Sequence, residues 1–257
     1  MQEIILDPLF DEFAVSKRDR ERLRRDLNQI RKKDLPTYFH SIRTTFLAID
    51  LARFLRMDPQ PFVYGGLIHD YGKTRVSDKV LKKVGRFKNL DRAKMQVHPI
   101  DSFKHSVKKD PFSALFAGMH HMHNAKPYPS KLPVGKYPSL VGMDAKAQEY
   151  SRVLAIADFW DAIVSRKDSS NSASALTLSF IKARMQSGLP TLKVLINQLF
   201  EEGFFNQEKL NAAQERKALM RKAQREIMQR KLARLNRKPY GRKTVIKGAR
   251  IKPKRRV

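Results

Sequence analysis

The chain has 257 residues, no cysteine, 41% hydrophobic residues and a formal net charge of +28. This length admits one large domain, or one domain with an extension. The absence of cysteine excludes disulfides, thiolate metal sites and a cysteine nucleophile. A charge of that size attracts polyanions such as RNA, DNA, anionic lipid or acidic protein.

The opening stretch, MQEIILDPLFDEF, is acidic with a short apolar run. It has the character of neither a signal peptide nor a transit sequence, and the expected location is the cytoplasm. No stretch approaches the roughly 18 apolar residues of a membrane-spanning helix. Residues 17–33 read as a helix of mixed charge, whose simplest explanation is a solvated face. Pro36 then suits the first turn of a new helix. From Thr37 to Leu55, apolar residues such as Phe39, Ile42, Phe46 and Ile49 recur at helical spacing.

Met57-Asp58-Pro59 ends that helix. The next is expected from Pro61 to Tyr71-Gly72, with the glycine as its C-terminal cap. A polar linker leads to a helix over Asp91–Val107, with His98 late in it. Asp110-Pro111 opens another helix that reaches His120. Residues 124–140 are rich in proline and glycine and read as a loop. Glu149–Ser165 is an apolar helix, followed by a Ser/Asn-rich connector at 168–174 and further helices to about Phe205. No run of alternating strands is found, so the expected fold class is all-α.

Residues 206–235 are helix-compatible with only a thin apolar stripe, and beyond Asn236 the composition is that of a disordered tail. From Lys209 to Val257 there are 19 Lys and Arg against two acids, Glu215 and Glu226. The expected organisation is an N-terminal helical segment (1–36), a main domain (37–205) and a basic arm with a tail (206–257).

Seven histidines occur, at 40, 69, 98, 105, 120, 121 and 123. Asp158 sits inside the apolar run from Val153 to Trp160. A carboxylate there must be satisfied if buried. Taken singly, each residue has an ordinary reading: a hydrogen-bonded histidine, or an aspartate paired with Lys or Arg. The ordered pattern is less ordinary. It runs His, His-Asp, His, His-His, Asp on successive helices, and helical bundles build two-metal sites from inward-facing side chains of this kind.

The string His40, His69-Asp70-Tyr71-Gly72-Lys73, His98-Pro99, His120-His121, Asp158-Phe159-Trp160-Asp161 resembles the HD-GYP branch of the HD superfamily of metal-dependent phosphohydrolases. The stretches GGLIHDYGKTRVSDKVLKKVGRF and SRVLAIADFWDAIVSRK carry further likeness, which extends over about residues 37–200. The resemblance implies an HD-domain helical bundle and a phosphodiesterase acting on a cyclic dinucleotide or a related nucleotide. It implies two divalent ions, with Mn or Fe favoured and Ni or Mg compatible. Asp70 would bridge them. One ion would take His40, His69 and Asp158, and the other His98, His120 and His121. Two such ions share a hydroxide that attacks the phosphodiester. Lys73 would contact the scissile phosphate. Asp161 would orient a ligand, and Arg166, Tyr128 and His123 are candidate substrate contacts. His105 reads as structural.

The chain departs from the family pattern in three places. After His121 it runs Met122-His123-Asn124-Ala125-Lys126-Pro127-Tyr128-Pro129, so only Tyr-Pro of the GYP segment remains. Pro36 stands where three-metal members carry a glutamate, which implies two metals here. Ser102 stands at a customary glycine. A second reading comes from the charge alone: a nucleic-acid-associated protein that uses residues 209–257 to hold RNA, DNA or an anionic surface, with the bundle as scaffold.

Overall fold

A computed structural model describes residues 2–165 and 176–236. The helices in chain order are α1 (Gln2–Glu12), α2 (Lys17–Lys33), α3 (Leu35–Phe54), α4 (Gln60–Ile68), α5 (Asp78–Leu81), α6 (Asn89–Met95), α7 (His98–Ser106), α8 (Pro111–Met119), α9 (Asp144–Ser165), α10 (Leu178–Gly188), α11 (Lys193–Glu201) and α12 (Gln207–Asn236). No strand occurs among the described residues, so the fold is all-α. None of the described helices is long and apolar enough to cross a membrane. The chain forms two compact units, residues 1–218 and 219–257. The connector at 168–174, Arg166 and the tail beyond Asn236 lie outside the described residues.

Polar caps set the helix starts. Ser16 accepts from the Asp19 N–H at the head of α2, Asp34 from Thr37 at the head of α3, and Asp110 from Ser113 at the head of α8. Each satisfies a donor that the first turn leaves without an intrahelical partner. α3 ends at Phe54, and Arg56 turns the chain at φ 56° before Pro59.

The core is built around α3 and α9, which pack on each other. α4 lies on α3, and α8 touches both α4 and α9. Phe62 stacks on Tyr150 where these helices meet, and Phe116 packs tilted against both. On the other side Trp160 lies flat on Phe205, with ring centroids 4.2 Å apart.

Four local expectations are corrected. α2 is not simply a solvated charged helix: Leu23, Leu27 and Ile30 recur on one face and are buried, together with Asp26. Its mean hydropathy is low because nearly all its other residues are charged, but three aliphatic residues suffice for one buried stripe. The linker after Gly72 holds a 3₁₀ turn (Tyr71–Arg75), α5 and α6. The helix expected over 91–107 is two helices, and His98 is the first residue of α7 instead of lying late in a longer one. Pro99 accounts for the break, because proline fits a first turn and lacks the N–H of a helix interior. Finally, Gly72 is no helix cap. α4 ends at Ile68, and a Cβ on Gly72 would stand 2.0 Å from the backbone oxygen of His98. The glycine permits a close backbone approach. Its N–H donates to Ser102 Oγ at 2.8 Å, which gives the serine at the customary glycine position a role.

Candidate metal centre

Five helices or helix ends deliver the cluster. His40 comes from the second turn of α3, His69 and Asp70 follow the last turn of α4, His98 begins α7, His120 and His121 follow α8, and Asp158 lies within α9.

Three of the rings are oriented by the same local device. His69 Nδ1 meets the Gly66 carbonyl at 2.7 Å, His98 Nδ1 the Met95 carbonyl at 2.8 Å, and His120 Nδ1 the Ala117 carbonyl at 2.5 Å. A carbonyl only accepts, so Nδ1 carries the proton in each ring. Nε2 is left as an unprotonated ligand atom.

His40 is oriented from farther away. Its Nδ1 lies 2.7 Å from Asp161 Oδ2. Asp161 also receives Arg43 Nε at 2.7 Å and a second guanidinium nitrogen at 2.9 Å, and Ser165 Oγ donates to it at 3.0 Å. Asn124 Nδ2 lies 3.1 Å from His121 Nδ1.

The ligand atoms fall into overlapping groups. His40, His69 and Asp158 offer atoms within 4.8 Å of one another, as do His98, His120 and His121, and a third such group is His69, Asp70 and His120. Asp70 stands between the first two groups. Its Oδ1 is 3.1 Å from His98 Nε2, and its Oδ2 is 3.4 Å from His69 Nε2 and 3.6 Å from His40 Nε2. His40 Nε2 is 2.9 Å from Asp158 Oδ1.

The donor set fits a metal. Nε2 of His69, His98 and His120 and Oδ1 of Asp70 are all buried, yet none makes a hydrogen bond. His98 Nε2 and Asp70 Oδ1 are 3.1 Å apart, but with the His98 proton on Nδ1 both are acceptors. Buried polar atoms without partners are rare and costly. Four of them within one set of overlapping His/Asp groups are the pattern that bound cations resolve. Nitrogen-rich ligation with carboxylates suits divalent transition ions.

For three rings the protonation state agrees with this, whereas His40, despite its burial, is raised to about 9 by Asp158 and Asp161 and has to lose a proton on ligation. Burial pushes His98 and His121 down, and His120 to about 3, leaving neutral rings at neutral pH. Burial alone would raise Asp70, but the Lys73 ammonium beside it holds it well below the usual carboxylate range. Asp158 is held down in the same way, chiefly by its hydrogen bond from His40, against the opposing effect of burial.

Lys73 Nζ sits 2.5 Å from Asp70 Oδ2, at the edge of the cluster. The Tyr128 ring lies 4.5 Å from that of His121 and 6.2 Å from that of His98, centroid to centroid. His123 is turned to α9, where its Nε2 meets Ser151 Oγ at 2.8 Å. His105 lies outside the cluster, stacked on Tyr71 at 3.6 Å and 3.1 Å from Asp26. Sequence reasoning missed Arg43 and Asn124. Arg43 had a signal: it follows His40 by three residues, just as Asp161 follows Asp158, so each helix presents a ligand and a second polar group on one face.

Residues 37–164 match the sequence pattern of the HD domain. The chain is 29% identical over 161 residues to the cyclic di-GMP phosphodiesterase PA4108 of Pseudomonas aeruginosa, a match that covers 61% of this chain and 37% of that protein. It therefore spans little more than a third of its relative's length. Among solved structures, it resembles the HD domain of the L. monocytogenes phosphodiesterase PgpH in complex with cyclic di-AMP, with a TM-score of 0.44 and 17% identity over 77% of this chain and 96% of that one.

Proposed function

The chain belongs to the HD domain family through residues 37–164, and on that premise we propose that it is a metal-dependent phosphodiesterase acting on a cyclic dinucleotide or a related nucleotide phosphoester. One observation carries the reading: four buried ligand atoms of His69, His98, His120 and Asp70 make no hydrogen bond, and all four residues belong to overlapping His/Asp groups.

His40, His69 and Asp158 would hold one divalent ion and His98, His120 and His121 a second, with Asp70 shared between them. Mn or Fe suits this donor set best. When bound, such a pair supplies Lewis-acid activation of water and neutralises phosphate charge. The chain's own residues do the rest. Lys73 Nζ, drawn from Asp70 toward a phosphate oxygen, stabilises charge that develops in the transition state. Asp161 and Arg43 hold the His40 ring in place, and the neutral rings of His98 and His120 require no proton loss before ligation. Tyr128 lies against the His121 side of the cluster, where it can contact a substrate base. Residues 1–36 and 206–257 flank the catalytic domain in this reading, and Arg166 is kept as a candidate phosphate contact.

The test is metal content and hydrolysis measured on one sample. Protein loaded with Mn or Fe under reducing conditions is assayed against cyclic dinucleotides and a generic phosphodiester, beside Asp70→Ala. Two ions per chain with turnover that depends on Asp70 is the expected result. A chain that binds no metal under these conditions overturns the reading.

A second reading is favoured by charge: 19 Lys and Arg against two acids in residues 209–257. The arm would associate with nucleic acid while the bundle serves as scaffold. Binding that weakens steeply with salt and is lost on removing residues 236–257, with hydrolysis absent, would support it over the first.

A further inference from the structure

The chain between Asp70 and His98 makes a long excursion from the metal cluster, and its charge is lopsided. Residues 73–97 carry nine Lys and Arg against two acids. Both acids are already matched from nearby. Asp78 pairs with Lys33 at 2.6 Å and Lys82 at 2.7 Å, and Asp91 pairs with Lys83. Lys79, Arg86, Arg92 and Lys94 are exposed and make no ion pair among the described residues. Val84 and Leu90, between them, are 97% and 67% exposed. Four uncompensated cations on one short stretch repel one another in the isolated protein. An extended polyanion relieves that repulsion.

The anchoring of the excursion matters. It leaves the cluster directly after Lys73, whose Nζ is on Asp70, and it returns at His98. Val80 is buried and Lys33 of α2 holds Asp78, so the start of the excursion is anchored to the body of the domain. A membrane fits poorly here. Interfacial binding calls for an apolar face rich in Trp, Phe or Leu, and two exposed aliphatic residues, Val84 and Leu90, do not make one. A nucleic-acid strand fits better. Its backbone supplies regularly spaced phosphates for a row of cations, and its bases can make apolar contact with exposed Val84 and Leu90.

We propose that residues 79–94 form a sequence-tolerant docking surface for the phosphate backbone of a nucleic-acid strand, leading toward the metal cluster. Docking itself needs no catalysis, and only cleavage of the docked strand rests on the phosphodiesterase reading. The surface extends the substrate class from a compact cyclic dinucleotide to a longer phosphodiester strand.

The experiment uses the full chain stripped of metal with a chelator, so that binding is read without turnover. Fluorescence anisotropy follows a short labelled single-stranded RNA and its DNA equivalent over a salt series, with phosphatidylserine vesicles as competitor. A variant with Lys79→Gln, Arg86→Gln, Arg92→Gln and Lys94→Gln should bind both strands about tenfold more weakly or worse at low salt. Its log–log salt slope should be shallower by about 3, at roughly 0.7 for each phosphate no longer neutralised. A second variant, Arg86→Lys with Arg92→Lys, keeps the charge and should bind within a few-fold of the parent. Both should melt at the parent's temperature, because the changed side chains are exposed.

An unchanged affinity and slope in the glutamine variant overturns the proposal. So does binding to vesicles with none to either strand, or a loss in the lysine variant as large as in the glutamine one. If the strands dock as described but the metal-loaded chain cleaves no phosphodiester, the surface stands and the phosphodiesterase reading falls. If cyclic dinucleotides are cleaved and no strand docks, the reverse holds.

Discussion

Asp161 on α9 meets His40 on α3 at 2.7 Å, across 121 residues of sequence, and the same carboxylate is gripped by both Arg43 nitrogens that reach it. Its ring partner is a proposed ligand, so its strength as an acceptor and its position both bear on the metal. Burial would raise Asp161, yet the His40 and Arg43 hydrogen bonds hold it at about 2. It is therefore an anion throughout the physiological range.

Replacing Asp161 by asparagine keeps the shape and removes the charge. Metal affinity should fall about 10- to 100-fold, the usual effect of losing a partner that orients a ligand. Arg43→Lys should lose part of the same affinity, because lysine cannot reproduce the two-nitrogen grip. A metal titration read by competition with a chromogenic chelator checks both, and unchanged affinity in Asp161→Asn would remove this residue from the centre.

Metal should also stabilise the fold. A ligand that binds only the native state adds about 2.7 kcal/mol at a hundred times its Kd. Thermal unfolding should therefore move upward when Mn is added to chelator-treated protein and return when the chelator is restored. Asp70→Ala, which removes the carboxylate between the two histidine groups, should show little or no shift. Equal shifts in both proteins would mean that the ion sits elsewhere.

Gly72→Ala should be unusually damaging for so small a change. The added Cβ would stand 2.0 Å from the His98 oxygen and 2.9 Å from the Asp101 Cβ. One of the two backbone segments has to move, at a cost of about 1–3 kcal/mol or more. Since one segment carries His69-Asp70 and the other begins with His98, urea unfolding and metal affinity should both register the change. A variant as stable as the parent would show that the approach is not tight.

His123 gives a pH dependence. Burial, with a smaller push from Arg152, lowers it from 6.5 to about 4. The unfolded chain takes up this proton near pH 6.5 while the folded one resists it until about pH 4. Stability is thus present above pH 6.5 and is lost as pH falls through that window. His123→Asn, which retains a polar partner for Ser151, should flatten this acid limb in metal-free protein. Denaturant midpoints at several pH values, compared between the two proteins, test it: parallel curves would refute it.

Trp160→Ala tests the packing behind the cluster. Trp160 is 2% exposed and stacked on Phe205. Truncations of this kind cost about 3–5 kcal/mol in a core that cannot collapse. Urea unfolding measures the loss, and a cost under about 1 kcal/mol would show that the helices close over the gap.

Much of the site was legible in the sequence, for a physical reason. Metal ligation restricts residue type severely, so His40, His69-Asp70, His98, His120-His121 and Asp158 stand out even among ordinary helices. The helix starts were legible where a cap is local, as at Asp110-Pro111. The break before His98 was less so. Its only sign is Pro99, which is equally compatible with a first turn and with a kink. α2 was misread because charge dominates its composition, while its buried stripe of Leu23, Leu27 and Ile30 occupies one face alone.

The sequence by itself determined the helical class, the order in which ligand-bearing segments follow one another, and the chemical character of the cluster. Those properties are carried by residue type and by spacing within a few turns. The tertiary structure alone decided which carboxylate faces which ring, that Arg43 and Asp161 form one unit, that His105 belongs with Tyr71 and Asp26, and that Gly72 exists for the sake of His98. These pairings join distant parts of the chain. They come from how helices pack against each other, and no local pattern along the chain specifies that packing.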